Sequence, residues 1–147
     1  MSVDVTSSII IRRPRRDVAA YSTNPDHVTS WYANIKEIKW ETSPPAAVGS
    51  RIAFVASFLG RRLAYTYEIT TLLPGERMVM KTSEGPFPME TTYSWEDAPE
   101  GSTRMSLRNR GSPAGFSALV APFVALSIRR ANQQDLARLK EILEAAV

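Results

Sequence analysis

The feature that most constrains this 147-residue chain is an alternation of apolar and polar residues, which starts at Ile35 and continues for about 75 residues. Turn residues such as Leu59-Gly60-Arg61 and Leu73-Pro74-Gly75-Glu76 interrupt the alternation where strands should end. A period of two places successive side chains on opposite faces of a strand. The pattern therefore predicts an antiparallel meander of about five or six strands with one apolar face.

One further strand and three helical segments flank this meander. Residues 3–11 alternate and are rich in β-branched side chains, which predicts a first strand. A short helix is expected after Pro14, and a second one after the N-cap residue Asn24. The apolar period then returns to three and four residues, which predicts a long helix over about 116–145, kinked or started late at Pro122.

The alternation divides each strand into an inner face and an outer face, and Thr66 is expected to face water. The inner faces are rich in aromatic and methionine side chains, which suit an irregular space better than a tightly packed core. An ordinary core is the alternative interpretation, because aromatic stripes usually pack. The predicted cavity wall is Phe54, Phe58, Tyr65, Tyr67, Met80, Met89, Thr91, Tyr93, Met105, Leu107 and Asn109 from the strands, with Phe123 from the last helix.

Composition argues against several kinds of catalytic and metal site. The chain has no cysteine, which removes disulfides, thiolate nucleophiles and sulfur-bound metals. His27 is the only histidine and is expected at the surface. We therefore predict no metal and no cofactor. We also assign no catalytic residue, because the carboxylates of the meander fall on outer faces or in turns. A tyrosine, Tyr67 or Tyr93, could still act as an acid toward a ligand carbonyl.

The positive charge of the chain is small, with a net charge of +3. Arg12, Arg13, Arg15 and Arg16 surround Pro14 and could contact phosphate, an anionic lipid surface or nucleic acid. A solvated junction between strand and helix is favoured, since a nucleic-acid site would also need exposed aromatic side chains nearby. We predict no nucleic-acid partner.

The apolar segments of the chain predict a cytoplasmic protein without stable membrane insertion. Residues 3–11 lack the uninterrupted apolar core of a signal peptide. The most apolar later stretch, 116–128, is shorter than the roughly 20 residues that a membrane span needs. That stretch carries apolar groups on more than one face. Its second face could meet a lid, a membrane surface or a partner subunit, and the partner subunit could be a second copy of this chain in a homodimer.

Short motifs follow one another in a particular order along nearly the whole chain. They are Ser8-Ile9-Ile10-Ile11 leading through Pro14 to Val18, then Asn24-Pro25-Asp26, Trp31, Val48-Gly49-Ser50, Thr71-Leu72-Leu73-Pro74-Gly75, Gly101-Ser102-Thr103-Arg104 and Leu136-Ala137-Arg138-Leu139-Lys140-Glu141-Ile142-Leu143-Glu144. In this order they resemble the START-like (SRPBCC) superfamily, specifically its polyketide cyclase/dehydrase and lipid-transport branch.

The resemblance implies one START-like domain over residues 1–147 with an α+β helix-grip fold. In that fold a curved antiparallel sheet of about seven strands wraps a long C-terminal helix over an internal cavity, with two short helices after strand 1. It further implies binding, or transport, of a hydrophobic small molecule such as a lipid or polyketide. The alternatives are a polyketide cyclase or dehydratase acting in the same cavity and a protein-interaction or chaperone-activating module. Fold alone does not choose among these uses.

Overall fold

The computed structural model describes residues 3–85, 88–112 and 121–146. Within these residues seven strands form one antiparallel sheet in the order β1-β7-β6-β5-β4-β3-β2. The strands are β1 (Val3–Ile11), β2 (Ile35–Trp40), β3 (Arg51–Phe58), β4 (Arg61–Leu73), β5 (Arg77–Glu84), β6 (Met89–Ala98) and β7 (Ser102–Gly111). The helices are α1 (Arg15–Ser22), α2 (Val28–Trp31) and α3 (Ala121–Ala145), with 3-10 turns at Pro25–His27 and Pro99–Gly101. The predicted α+β helix-grip fold is confirmed.

The helix-start residues predicted from the sequence lie at or near the observed helix starts. The Asn24 side chain accepts a hydrogen bond from the backbone N–H of Asp26 at 3.0 Å and so caps the turn that leads into α2. Pro122 lies in the first described turn of α3. The predicted helix start at Phe116 falls outside the described residues. Strand β1 pairs with β7, which brings the N-terminal strand beside α3.

The arginines around Pro14 hold this junction to other parts of the fold. Arg13 donates to the backbone oxygens of Leu143 and Ala146, at 2.6 and 2.9 Å, near the end of α3. The backbone N–H and the guanidinium of Arg12 both donate to the carboxylate of Glu144, at 2.8 and 3.3 Å. Arg15 pairs with Asp97 at 3.2 Å. These contacts give three of the four arginines a structural role.

The outer face of the sheet is polar and carries ion pairs, as the alternation predicts. One residue expected on this face, Thr66, is not exposed. Arg108 forms a two-point contact with Asp4, at 2.8 and 2.6 Å, and Arg110 pairs with Glu90 at 3.0 Å. Thr66 is buried although it was expected to face water. Its hydroxyl donates to Glu41, at 3.4 Å, from the segment that follows β2.

Candidate functional site

A partly enclosed cavity of about 150 Å³ lies between the inner face of the sheet and α3. The sheet contributes most of the wall, and α2, the segment after it and α3 contribute the remainder. Nine of the twelve residues predicted for the wall do line it: Phe54, Phe58, Tyr65, Tyr67, Met80, Met89, Thr91, Tyr93 and Asn109.

The other three predicted wall residues lie elsewhere. Met105 and Leu107 are fully buried in the packed core, because they pair with Trp95 and Tyr93 further along the sheet than Asn109. Phe123 is 67 % exposed. Successive helical residues are about 100° apart, and the neighbouring Val124 is the one that packs inward against β1. Met105, Leu107 and Phe123 therefore do not line the cavity, and the prediction was wrong for these three residues.

Three aromatic rings form one apolar side of the cavity. The rings of Phe54 and Tyr65 lie nearly parallel with centroids 5.8 Å apart. Tyr67 meets both rings edge-on, at 5.7 Å from Phe54 and 5.3 Å from Tyr65. Edge-to-face and offset contacts of this kind are favourable between aromatic rings, so the three rings support one another.

Helix α3 contributes wall residues that the sequence analysis missed. Ile128, Ala131, Asn132 and Asp135 line the cavity, and their spacing of three and four residues places them on one helical face. Asn132 and Asp135 are only 3 % and 2 % exposed. The sequence contains a signal for the inward position of Asp135, because the same spacing continues to Leu139 on the apolar face of the helix. The alternation of the strands carries no information about these helical positions.

Asp135 places a carboxyl group in this otherwise mainly apolar wall. One carboxyl oxygen accepts a hydrogen bond from the backbone N–H of Ala33 at 3.0 Å. Burial raises the pKa of Asp135 to about 6, and the hydrogen bond from Ala33 opposes that change only in part. The carboxyl group therefore exchanges protons in a range where an ordinary aspartate is already ionised.

A chain of hydrogen bonds crosses the cavity wall from the sheet to α3. The hydroxyls of Tyr67 and Thr91 are 3.0 Å apart. Thr91 donates to Oδ1 of Asn109 at 2.6 Å, and Nδ2 of Asn109 donates to Oδ1 of Asn132 at 2.9 Å. These four side chains form one continuous hydrogen-bonded row along the wall.

A second polar contact joins Tyr32, which was not predicted for the wall, to Tyr93. Their hydroxyl oxygens are 2.6 Å apart. Burial raises the pKa values of both hydroxyls above the usual range, and it raises the pKa of Tyr67 to about 12. All three tyrosines are therefore neutral hydrogen-bonding groups near neutral pH.

His27 lies outside the cavity. Its half-buried ring stacks on Tyr21 with centroids 4.0 Å apart, and its Nδ1 is 2.9 Å from the backbone oxygen of Tyr21. Among the residues that the structure describes, no three histidine, aspartate or glutamate side chains converge as a metal site would require. In the same part of the chain, no helix combines the length and apolarity needed to cross a bilayer.

Solved structures with the same fold include proteins of several bacteria. A protein from Thermus thermophilus is 17% identical with a TM-score of 0.83, over 98% of this chain and 99% of that one. A START superfamily protein from Mycobacterium smegmatis is 11% identical with a TM-score of 0.84, over 98% and 99%. The Zhui aromatase/cyclase from Streptomyces is 11% identical with a TM-score of 0.81, over 98% and 94%. At these identities the similarity concerns the fold.

Comparison at the level of sequence gives the family. No curated protein sequence matches this chain significantly. The family model described as polyketide cyclase/dehydrase and lipid transport matches residues 2–144, nearly the whole chain. Together with the START-like sheet and helix, this match means that the chain belongs to the polyketide cyclase/dehydrase and lipid transport family.

Proposed function

We propose that this protein binds a hydrophobic small molecule in the cavity between the sheet and α3. The observation that carries the proposal is the composition of the wall: aromatic rings and methionines surround the space, and a few polar groups lie among them. Small-molecule sites generally have this mixture, in which apolar surface supplies affinity and a few polar groups fix orientation. Family membership supports the same function.

The size of the cavity limits the guest. An apolar cavity of about 150 Å³ accepts a guest of the size of benzene, whereas pockets for drug-sized ligands are roughly 300–1,000 Å³. A molecule with one ring and a short substituent therefore fits with small adjustments of the wall. A larger lipid or polyketide requires wall side chains to move, and Met80 and Met89 are the most adaptable of them.

Native mass spectrometry of freshly purified protein tests the proposal. We expect a reproducible bound mass that is lost when the protein is denatured. Ala131→Phe places a ring in the cavity from α3 and should remove that mass, whereas Ala137→Phe, at an exposed position six residues on, should retain it. Absence of a bound mass in the wild type, or its full retention in Ala131→Phe, would argue against the proposal.

Asp135 supports a second candidate function, a cyclase or dehydratase acting in the same cavity. Cyclisation and dehydration of a carbonyl compound need a base that removes a proton and donors that hold the developing oxygen charge. A buried carboxylate with a pKa of about 6 is matched to the first task, and neutral tyrosine hydroxyls are matched to the second. In this scheme Tyr93 acts as a hydrogen-bond donor.

Single-turnover assays with a short poly-β-ketone substrate test the enzymatic alternative. Asp135→Asn should lower the rate of ring formation or water loss by about 10²–10⁴-fold, the usual contribution of a general base, with little effect on binding. Glu141→Gln, an exposed carboxylate on the same helix, should leave the rate unchanged. Binding without turnover in the wild type would rule out the enzymatic alternative and would remain consistent with the binding function.

A further inference from the structure

The side chain of Asn132 carries an unused hydrogen-bond donor at the cavity wall. Asn132 is 3 % exposed, and its Nδ2 atom has no hydrogen-bond partner among residues 3–85, 88–112 and 121–146. Buried amide groups in folded proteins are almost always hydrogen-bonded, since an unpaired one has lost its contact with water without replacement. Because Asn132 lines the cavity, a guest in that space could supply the missing partner.

In the structure the hydrogen-bond chain from the sheet ends on the oxygen of this amide. Thr91 has one hydroxyl proton and donates it to Oδ1 of Asn109, so its own oxygen accepts from Tyr67. The Nδ2 of Asn109 then donates to Oδ1 of Asn132. The acceptor oxygen of Asn132 is thereby occupied, and its NH₂ group is left for a guest.

The tyrosine pair supplies another donor to the same space. One hydrogen bond joins the hydroxyls of Tyr32 and Tyr93, and it uses one of their two protons. The second proton is available to a guest whichever hydroxyl donates. A guest with an acceptor oxygen can therefore receive a hydrogen bond from the tyrosine pair as well as from α3.

The charges around the cavity restrict which oxygen the guest can carry. Asp135 lies one helical turn from Asn132, and no lysine, arginine or histidine is present among the described residues of the wall. A carboxylate guest would bring a second negative charge next to Asp135 without a compensating cation. A plain hydrocarbon would leave the Asn132 donor unpaired. A neutral carbonyl oxygen avoids both costs.

We propose that the cavity selects an apolar guest with a neutral carbonyl oxygen, which accepts a hydrogen bond from Nδ2 of Asn132. This inference rests on the proposed binding function and names the class of its ligand. It excludes free fatty acids as preferred guests and assigns specificity to an α3 residue that lies beside Asp135.

A matched pair of probes tests this proposal. Acetophenone and α-methylstyrene have nearly the same size and shape, but the first carries a C=O group where the second carries C=CH₂. We expect the wild type to bind acetophenone about tenfold more tightly, as one well-placed hydrogen bond would give. The bound carbonyl should also show a lower infrared stretching frequency than acetophenone in a hydrocarbon solvent, where its oxygen accepts no hydrogen bond. Benzoate at pH 8 should bind more weakly than acetophenone.

Variants assign the preference to Asn132. Asn132→Leu should remove the tenfold difference while still binding α-methylstyrene, and Gln133→Leu, its exposed neighbour, should keep the difference. The wild-type comparison needs no variant and holds even if Asn132→Leu does not fold.

The outcomes separate this inference from the proposed function. Equal affinities of the two probes for the wild type would overturn the carbonyl preference and leave the binding function in place. Failure of both probes to bind would overturn both proposals. Tighter binding of phenol than of acetophenone would mean that the cavity prefers a guest that donates a hydrogen bond, which also contradicts the inference.

Discussion

Asp135 and the tyrosines of the cavity respond to the same physical cause with different results. Burial disfavours the charged form of each group, and it raises the pKa of Asp135 to about 6 and that of Tyr67 to about 12. The carboxyl group therefore changes charge close to physiological pH, while the hydroxyl remains neutral. Proton exchange with a guest near neutral pH would run through Asp135.

Asp135→Asn should change how stability depends on pH. The pKa of about 6 in the folded state exceeds the ordinary value of 3.8, so the folded state binds more protons between these values and the free energy of unfolding falls as pH rises through them. A difference of about two pKa units corresponds to about 3 kcal/mol. The asparagine keeps an acceptor for the Ala33 N–H without the charge.

Urea unfolding at two pH values measures this effect. The variant should match the wild type near pH 4 and exceed its free energy of unfolding by up to about 3 kcal/mol at pH 8. Carboxylates elsewhere affect both proteins alike and cancel in the comparison. A variant no more stable than the wild type at pH 8 would contradict the burial of a titrating carboxyl group.

The hydrogen bond between Tyr32 and Tyr93 predicts non-additive effects. Tyr32→Phe and Tyr93→Phe should each lower the free energy of unfolding by about 1–2 kcal/mol, because each leaves the other buried hydroxyl without its partner. The double variant should lose less than the sum of the single losses, since both hydroxyls are then gone. Chemical denaturation of the four proteins measures the coupling, and strict additivity would count against the contact.

At the scale of elements, periodicity predicted the order and type of the strands and helices. The bounds of β1 match the predicted residues 3–11, and the paired faces of β3, β4 and β6 bring all seven of their predicted wall residues to one cavity. Alternation is a local signal that a single sequence carries in full. The nine predicted residues that line the cavity all follow from it.

Alternation indicates the side of a strand but neither the depth along it nor what covers the opposite face. Met105 and Leu107 share a face with Asn109, yet they lie where the helices close the interior. Thr66 is covered by Glu41, which is 25 residues away in the chain. Such burial depends on contacts between distant segments. Asp135, by contrast, could have been predicted from the helical spacing of its neighbours.

The contact between Arg12, which follows β1, and the end of α3 makes Glu144 important for the attachment of that helix. Hydrogen bonds from Lys140 and from the backbone N–H of Arg12 lower the pKa of Glu144 to about 2. Since this pKa lies below the ordinary value of 4.5, the stability that it contributes is present above pH 4.5 and is lost as pH falls toward 2.

Glu144→Gln should therefore lower the Tm by a few degrees at pH 7, and the difference should shrink below pH 4.5. Glu141→Gln is the control, because Glu141 is exposed and its 3.6 Å pair with Arg138 is also exposed. Thermal unfolding followed by circular dichroism at pH 7 and pH 3 measures both variants. A Glu144→Gln deficit that is the same at both pH values would contradict this role.

At the scale of the whole molecule, the interior consists of a packed region and a hollow region. Met105 belongs to the packed region with Trp95 and Leu139, while Met89 lines the cavity. Met105→Ala should lower the free energy of unfolding by about 2–5 kcal/mol, because it opens a void in a close-packed core. Met89→Ala should cost less, because its half-buried side chain already borders open space. Equal costs in urea unfolding would contradict this division.

The four methionines in the described residues allow the cavity to be tested directly. Met80 and Met89 line it, whereas Met78 and Met105 are buried outside it. Titration of ¹³C-methyl-methionine-labelled protein with benzene, followed by NMR, should shift the Met80 and Met89 methyl signals to saturation and leave those of Met78 and Met105 nearly unchanged. Four unchanged signals, or equal shifts of all four, would contradict an apolar binding cavity between the sheet and α3.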